Sequence, residues 1–316
     1  SIVFLLTGLI WTYALVGHLD FVAGGILNGK IAVGLLPILL GLYAFGIGKA
    51  ALMPLHRWLP AAMVAPTPVS ALLHAVAVVK AGVFTMLKVG VYIFGIDFLA
   101  ESGASQWLIW LAAISIILAS LFALMQNNLK KRLAYSTVSQ LSYVTLAMAL
   151  ATPMAAMGGG MQIAMHAFGK IALFMCAGAI YVVTKKTDVS ELSGLGRKMP
   201  ITFIIFAIAS FSIIGLPPFG GSWPKFLLIL GAVDTGYFSI IAVLMISSLL
   251  NVAYLLPIVG RGFFVKSKDG LDLKLIHEAP LLCWLPAAIA AGTCLLLFFY
   301  AGLIQDFLRP FAQGSI

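Results

Sequence analysis

Five lysines lie within long apolar stretches of the chain, where an ionised side chain is unfavourable. They are Lys49, Lys80, Lys88, Lys170 and Lys225. A charge at the centre of a bilayer costs roughly 2.5–3.5 kcal/mol or more on insertion scales. Lys88 falls near the end of its apolar stretch, so its stem can carry the ammonium group to the membrane interface. The other four lysines require a functional or structural reason.

Two histidines accompany these lysines and favour proton-transfer chemistry. His74 precedes Lys80 by six residues, about 9 Å along a helix and about 120° around it. His166 and Lys170 are four residues apart and therefore share one helix face. Burial disfavours the charged form of a lysine, so such a group can exchange a proton as a neighbour's charge changes.

The pattern therefore predicts a proton relay of four lysines with two supporting histidines: Lys49, Lys80, Lys170, Lys225, His74 and His166. The alternative is that each lysine neutralises a carboxylate or a carbonyl group for packing alone. No aspartate or glutamate lies deep in the apolar stretches. Either the relay operates without a carboxylate, or its partner lies on a helix outside this sequence. We favour the second and expect the chain to be a fragment that lacks N-terminal helices.

Composition identifies the environment in which these lysines lie. The chain has 316 residues, of which 62% are hydrophobic and 9% charged. Soluble proteins carry about 25% charged residues, so we expect a polytopic membrane protein and exclude a cytosolic enzyme, a secreted disulfide scaffold and a nucleic-acid-binding protein. The three cysteines lie in apolar stretches without metal-ligand spacing. With no dinucleotide fingerprint either, we expect no cofactor, no metal site and no redox centre on this chain.

A helix that crosses a bilayer needs about 20 mostly apolar residues. On this basis the sequence predicts an all-α fold with nine spans, and the period-2 alternation of a membrane barrel is absent. The predicted spans are 2–16, 31–50, 69–93, 105–125, 134–152, 157–183, 200–232, 238–258 and 280–304.

The basic residues in the connecting loops predict the orientation. Every second loop lies on the same side of the membrane. On one side these are loops 51–68, 126–133, 184–199 and 259–279, which hold 1, 3, 4 and 4 lysines and arginines. The other side holds only Lys30 and Arg309. The net charge of +9 therefore reflects the orientation of the chain in the membrane. We expect the first residue to be cytoplasmic and the C-terminus to lie outside, in a plasma membrane.

Two of the predicted helices contain breaks. Prolines interrupt the chain from Met53 to Pro60, and glycines and prolines interrupt it again from Gly215 to Pro224. Proline removes a backbone donor, and irregular backbone at membrane depth persists only within protein or beside water. Two such interruptions five spans apart are typical of an internal repeat in a transporter. The alternative is two ordinary loops.

Five motifs carry a resemblance to the proton-conducting membrane transporter family. That family contains antiporter-like subunits of respiratory complex I, membrane arms of energy-converting hydrogenases and Mrp-type Na+/H+ antiporter subunits. The motifs are FGIGK (45–49) leading to MPLHRWLPAAMVAPTPVSALLHAVAVVKAGVF (53–84), LKKRLAYSTVSQLSY (129–143), HAFGKIALFMCAGAI (166–180), SELSGLGRKMP (190–200) and GLPPFGGSWPKFLL (215–228). Their order and spacing match the family over nearly the whole chain.

The resemblance implies a fourteen-helix fold built from two inverted five-helix repeats, each with one broken helix. This chain resembles helices six to fourteen, so residues 1–93 would end the first repeat, 94–260 form the second and 261–316 hold the last helix and tail. The resemblance makes Lys49 and Lys225 the two broken-helix lysines and places the family's membrane glutamate before Ser1. Arg57, Ala61-Ala62 and Asn128 make the chain most similar to the Mrp D-type subunit.

The resemblance therefore implies a proton-translocating subunit of a multisubunit Na+/H+ antiporter, working with other integral membrane subunits in the lipid bilayer. The first alternative is an antiporter-like subunit of NADH:quinone oxidoreductase or of a membrane-bound hydrogenase, with redox energy supplied by other subunits. Whether the chain is part of an enzyme depends on this choice. The second alternative is a non-transporting structural subunit whose relay is idle.

Overall fold

The computed structural model describes residues 1–72, 77–266 and 277–313, and in these ranges the fold is all-α. The α-helices of the N-terminal half are α1 (Ile2–Val16), α2 (Leu36–Gly46), α3 (Trp58–Ala61), α4 (Thr67–Ala71), α5 (Val78–Val89), α6 (Ile96–Ser102), α7 (Gln106–Met125) and α8 (Leu129–Leu150). Those of the C-terminal half are α9 (Pro153–Thr184), α10 (Leu195–Lys198), α11 (Pro200–Ile214), α12 (Ser222–Asp234), α13 (Phe238–Phe264), α14 (Leu281–Phe299) and α15 (Ala301–Ala312).

Four helices among the described residues are long and apolar enough to cross a membrane unaided: α7, α9, α13 and α14. A fifth span results if α5, its π-helical extension Gly90–Phe94 and α6 are counted together, although α6 bends away by 78°. Helices α1 and α11 are apolar but shorter. The predicted nine-span count therefore remains a prediction.

Helix α8 is the centre of the bundle. Its 22 residues are long enough to cross a bilayer, yet they include serines, threonines and a glutamine. Residues 136–150 are buried on every face, mainly between α7 and α9. A helix that is buried on every face does not contact lipid, so it can carry polar residues and still span the membrane.

Both predicted breaks are present, and the first begins earlier than expected. Helix α2 ends at Gly46, and Lys49 lies in a separate 3-10 turn, Gly48–Ala50. The predicted span 31–50 placed Lys49 in the helix before the break, and this is wrong because Lys49 lies inside the break. The second break separates α11, which ends at Ile214, from α12, which begins at Ser222.

The predicted span 69–93 is not one regular helix. Helix α4 ends at Ala71 and α5 begins at Val78, with a π-type hydrogen bond from the Ala77 amide to the Leu72 carbonyl. Pro66 precedes α4 and Pro68 lies in its first turn. The hydrogen bond from Ala77 to Leu72 spans five residues instead of four, so the regular α-helical pattern is interrupted before α5 begins. His74 lies outside the described residues.

The described parts of the four basic loops meet at one end of the molecule. Lys130 Nζ donates to the carbonyl of Ala65 at 2.9 Å, which joins the second loop to the first. Asn127 Nδ2 donates to Oδ2 of Asp188 at 3.0 Å, which joins the second loop to the third. The amide of Gly194 donates to the carbonyl of Arg261 at 3.0 Å, which joins the third to the fourth. The loops that hold most of the positive charge therefore share one surface.

The second break depends on a glycine in close contact with α11. A Cβ atom on Gly221 would lie 1.8 Å from the Ser212 carbonyl oxygen. We predict that Gly221→Ala forces the two half-helices apart and lowers the free energy of unfolding by about 1–3 kcal/mol. Thermal unfolding of the detergent-solubilised protein, followed by tryptophan fluorescence, measures this change.

The matched control is Gly292→Ala in α14, where an added Cβ meets no atom within 4 Å. Alanine is favoured over glycine in a helix by about 0.5–1 kcal/mol, so this variant should be as stable as the parent or more stable. Equal melting temperatures for the two variants would contradict close packing at the second break.

Candidate functional site

A lysine–histidine pair joins α5 to α9 in the interior. Lys80 and His166 are both buried, and Lys80 Nζ lies 2.6 Å from His166 Nδ1. An ammonium group has no lone pair, so in its charged state Lys80 donates and the ring proton of His166 sits on Nε2. If the lysine is neutral, the imidazole can donate instead. The pair is therefore positioned to pass one proton between two helices.

Lys170 lies one turn further along α9 and is completely buried, with 0% exposure. Its Nζ donates to Oγ of Ser136 at 2.6 Å and to the carbonyl of Leu133 at 3.2 Å, both on α8. All the described hydrogen-bond partners of this ammonium group are neutral. The packing of α9 against α8 thus replaces part of the water shell that the lysine loses.

Helix α13 extends this contact. The Tyr254 hydroxyl hydrogen-bonds Ser136 Oγ at 2.7 Å and also Oδ1 of Asn251. A phenol has one proton and an amide oxygen only accepts, so the Tyr254 proton faces one partner at a time. When it faces Asn251, Ser136 can donate to Tyr254 in return. The hydrogen-bonded chain from Lys170 therefore has two proton arrangements.

Lys225 lies at the second break, in the first turn of α12, and is buried with 7% exposure. Its Nζ donates to the carbonyl of Ile214 at 2.6 Å and to Oγ of Ser248 at 3.1 Å. Ile214 is the last residue of α11, so its carbonyl has no partner within that helix. The break thus supplies an acceptor at a helix C-terminus, where a positive charge is favoured.

These groups form one row across the bundle. Lys80 contacts His166, and Lys170 follows one helical turn later. Ser136 and Tyr254 lead to Asn251, and Ser248 lies three residues before Asn251 on α13, next to Lys225. Lys80, Lys170 and Lys225 all lie within electrostatic range of His166. None of the aspartates and glutamates in the described ranges has a buried side chain.

Several polar atoms beside the row have no protein partner. Gln162 Nε2 donates to Oε1 of Gln140 at 2.9 Å, and both amides are buried between α8 and α9. Among the described atoms, Gln140 Nε2, His166 Nε2 and Asn251 Nδ2 lack a hydrogen-bond partner. Buried donors of this kind are the groups that internal water normally satisfies. Gln140 is one turn from Ser136 on α8, and Asn251 is one turn from both Ser248 and Tyr254 on α13.

The structure brings together four of the six predicted relay residues: Lys80, Lys170, Lys225 and His166. Lys49 is not among them, because its side chain is exposed. Its backbone nevertheless lies against α5, since a Cβ on Gly82 would be 2.4 Å from the Lys49 carbonyl carbon. Lys88 Nζ lies 4.0 Å from the ring centre of Phe21, outside the buried row.

Sequence reasoning missed the neutral side chains that connect the lysines. Ser136 and Gln140 belong to a polar run in α8, and Ser248, Asn251 and Tyr254 lie three and six residues apart in α13. Both patterns place polar groups on one helix face within apolar surroundings, which is a signal for a buried polar path. The charged residues alone do not contain this signal.

Buried cationic side chains beside discontinuous helices are typical of ion-translocating membrane proteins. The family model described as the transmembrane region of NADH:quinone oxidoreductase and Mrp antiporter subunits matches residues 1–251. The chain belongs to this family of multi-pass membrane proteins.

Known relatives come from both branches of the family. The chain is 34% identical over 268 residues to NADH-quinone oxidoreductase subunit N of Desulforudis audaxviator, covering 82% of this chain and 52% of that protein. It is 34% identical over 275 residues to a probable K(+)/H(+) antiporter component of Rhizobium meliloti, covering 85% of this chain and 26% of that protein. The chain thus spans about half the length of the first relative and about a quarter of the second.

A solved structure shares the fold. A chain of the Mrp complex from Dietzia superposes with a TM-score of 0.83 at 22% identity, covering 99% of this chain and 64% of that chain. The overall fold of this chain is therefore one already seen in a solved membrane complex.

The hydroxyl of Tyr254 connects Lys170, through Ser136, to α13. We predict that Tyr254→Phe slows proton transfer through the chain by about 10- to 100-fold, since a hydrogen bond in a charged network is worth about 1.5–3 kcal/mol. Proton flux into proteoliposomes that contain the complete complex, followed with a pH-sensitive dye, measures this rate.

Tyr300→Phe is the matched control because Tyr300 is 58% exposed and lies at the junction of α14 and α15, outside the row itself. It should leave the flux unchanged. If Tyr254→Phe conducts protons as fast as Tyr300→Phe, the path does not run through Tyr254.

Proposed function

We propose that the chain is a proton-translocating subunit of a multisubunit Na+/H+ antiporter in a plasma membrane. The single observation that carries this proposal is the row of three buried lysines, each solvated by neutral groups and linked through His166, Ser136 and α13. A few hydrogen bonds to neutral groups do not offset the free-energy cost of holding three permanent charges in a low-dielectric interior. The row is therefore suited to hold fewer than three excess protons and to move them.

In this proposal a proton moves between neighbours whose affinities depend on each other's charge. Lys80 contacts His166, and Lys170 lies one helical turn further along α9, so a positive charge on Lys80 repels a second one on either neighbour and the excess proton moves along the row. Ser136 and Tyr254 carry it toward α13 by reversing their hydrogen bonds. Water at the unpartnered amide groups completes the path to Lys225.

The second break gives Lys225 the role of an outlet. Separation of α11 from α12 would take the Ile214 carbonyl away from this ammonium group, and loss of the lysine proton would weaken the hydrogen bond between them. A small movement of either half-helix thus changes the proton affinity of Lys225. Lys49 and His74 enter the proposed relay on the family resemblance, since Lys49 is exposed and His74 lies outside the described residues.

The Mrp D-type assignment within this proposal rests on Arg57, Ala61, Ala62 and Asn128. Asn128 has a structural reason, because its Nδ2 donates to the Asp188 carboxylate at 3.4 Å and an aspartate there would face a like charge. The clustering of the basic loops supports a cytoplasmic position for that surface. On this orientation the first residue is cytoplasmic, the C-terminus lies outside, and other integral membrane subunits complete the complex.

The second candidate is an antiporter-like subunit of NADH:quinone oxidoreductase or of a membrane-bound hydrogenase. The observation in its favour is the 34% identity to subunit N of the Desulforudis enzyme. The proton path would be the same, and the energy would come from redox subunits instead of a cation gradient.

Replacement of Lys170 distinguishes these functions. In everted membrane vesicles with the complete complex, we predict that added Na+ collapses a respiration-driven proton gradient and that Lys170→Met reduces this response at least about 100-fold. A pH-sensitive dye reports the gradient, and K+ in place of Na+ identifies the exchanged cation. Lys131→Met, which replaces an exposed lysine in α8, is the matched control.

Complex assembly is checked by the amount of the variant subunit that copurifies with its partners. If neither cation acts but NADH oxidation builds a gradient that requires Lys170, the respiratory candidate replaces the antiporter. If the assembled Lys170→Met complex behaves as the parent in both assays, the relay is idle and the proposal is wrong.

A further inference from the structure

A cavity opens at the end of the molecule where the described parts of the basic loops meet. Its volume is about 710 Å³, within the range of about 300–1,000 Å³ that is typical of small-molecule sites. It lies between α4, α9, α14 and the start of α8. Apolar side chains form most of its wall, among them Pro68, Met175, Val182, Leu282 and Pro286.

Two lysines line the cavity at the ends of α8 and α9. Lys130 is in the first turn of α8, and Lys186 is two residues beyond the end of α9. Each Nζ donates to a backbone carbonyl, Lys130 to Ala65 at 2.9 Å and Lys186 to Glu191 at 3.3 Å. Among the described residues that line the cavity, none is acidic. One end of an apolar space therefore carries positive charge.

We propose that this cavity is a binding site for an anionic phospholipid of the surrounding bilayer. An acyl chain would occupy the apolar space between α4, α9 and α14, and the phosphate would lie at Lys130 and Lys186. The basic loops place these lysines at the level of a headgroup, and each lysine near a membrane surface contributes about a fivefold gain in affinity for an anionic lipid. Charge complementarity thus selects an anionic headgroup over a zwitterionic one.

Residues of α8 and α9 line the cavity. Helix α9 carries Lys170, and α8 supplies its hydrogen-bond partners. Lys130 precedes Leu133, the carbonyl partner of Lys170, by three residues. On α9, Gly178 lies two turns beyond Lys170 and lets α4 approach closely, since a Cβ there would be 3.0 Å from Thr67 Cγ2. A bound lipid would therefore stabilise the packing of α4 against α9 next to the buried row.

Cys283 provides a native probe because it lines the cavity and is half-buried, whereas Cys176 and Cys294 are buried. The complete complex is placed in nanodiscs of phosphatidylcholine alone or with phosphatidylglycerol, and a membrane-permeant maleimide labels the thiol. We expect phosphatidylglycerol to slow the labelling of Cys283. Cys283→Ser gives the background from other thiols.

The double variant Lys130→Gln with Lys186→Gln should need roughly thirtyfold more phosphatidylglycerol for the same protection, because two lysine contacts are lost. The matched control replaces their exposed neighbours, Lys131→Gln with Lys185→Gln, and should keep the parent's lipid dependence.

Three results would overturn the proposal. Equal protection by phosphatidylcholine, or equal lipid dependence of the two double variants, would show that the lysines do not recognise a headgroup. A thiol that stays unreactive in every lipid mixture and in both double variants would show that another subunit fills the cavity.

Discussion

Three ammonium groups, with no buried carboxylate among the residues that the structure describes, are the constraint on which the rest of this bundle depends. Lys80, Lys170 and Lys225 are removed from bulk solvent, and their described partners are an imidazole, hydroxyl groups and backbone carbonyls. Neutral partners compensate a buried charge only in part. A positive charge on any one of these lysines is therefore unfavourable. The proton affinity of each lysine responds strongly to a second charge nearby.

The irregular features of the fold follow from that constraint. The second break exposes the Ile214 carbonyl for Lys225, which an unbroken helix would have used internally. Helix α8 is enclosed by protein, so its Ser136 and Gln140 do not face lipid. Helix α13 is apolar enough to span a membrane and still presents Asn251 and Tyr254 to the interior.

Much of this arrangement could be predicted from the sequence, because membrane burial makes charges and prolines conspicuous. The helical class, the two breaks and the buried state of Lys80, Lys170 and Lys225 follow from apolar length, proline chemistry and the cost of a charge in lipid. The four basic loops group on one surface because successive spans cross the membrane in opposite directions.

The rest depends on tertiary contacts that one sequence does not encode locally. Lys80 and His166 are 86 residues apart, and nothing near either residue indicates the other. The start of the first break was misplaced because helix α2 ends at Gly46, seven residues before Met53, where the prolines begin. Hydropathy is also a weaker guide to α8, since a helix surrounded by protein need not be apolar, and the predicted span 134–152 begins five residues after that helix does.

The most direct test of the central claim is an electron cryo-microscopy map of the complete complex at a resolution where ordered waters are visible. The account predicts water density at His166 Nε2, Gln140 Nε2 and Asn251 Nδ2, joining Lys80 to Lys225 in one continuous hydrogen-bonded path. Apolar side chains packed against those three donors, with no water between the lysines, would contradict it.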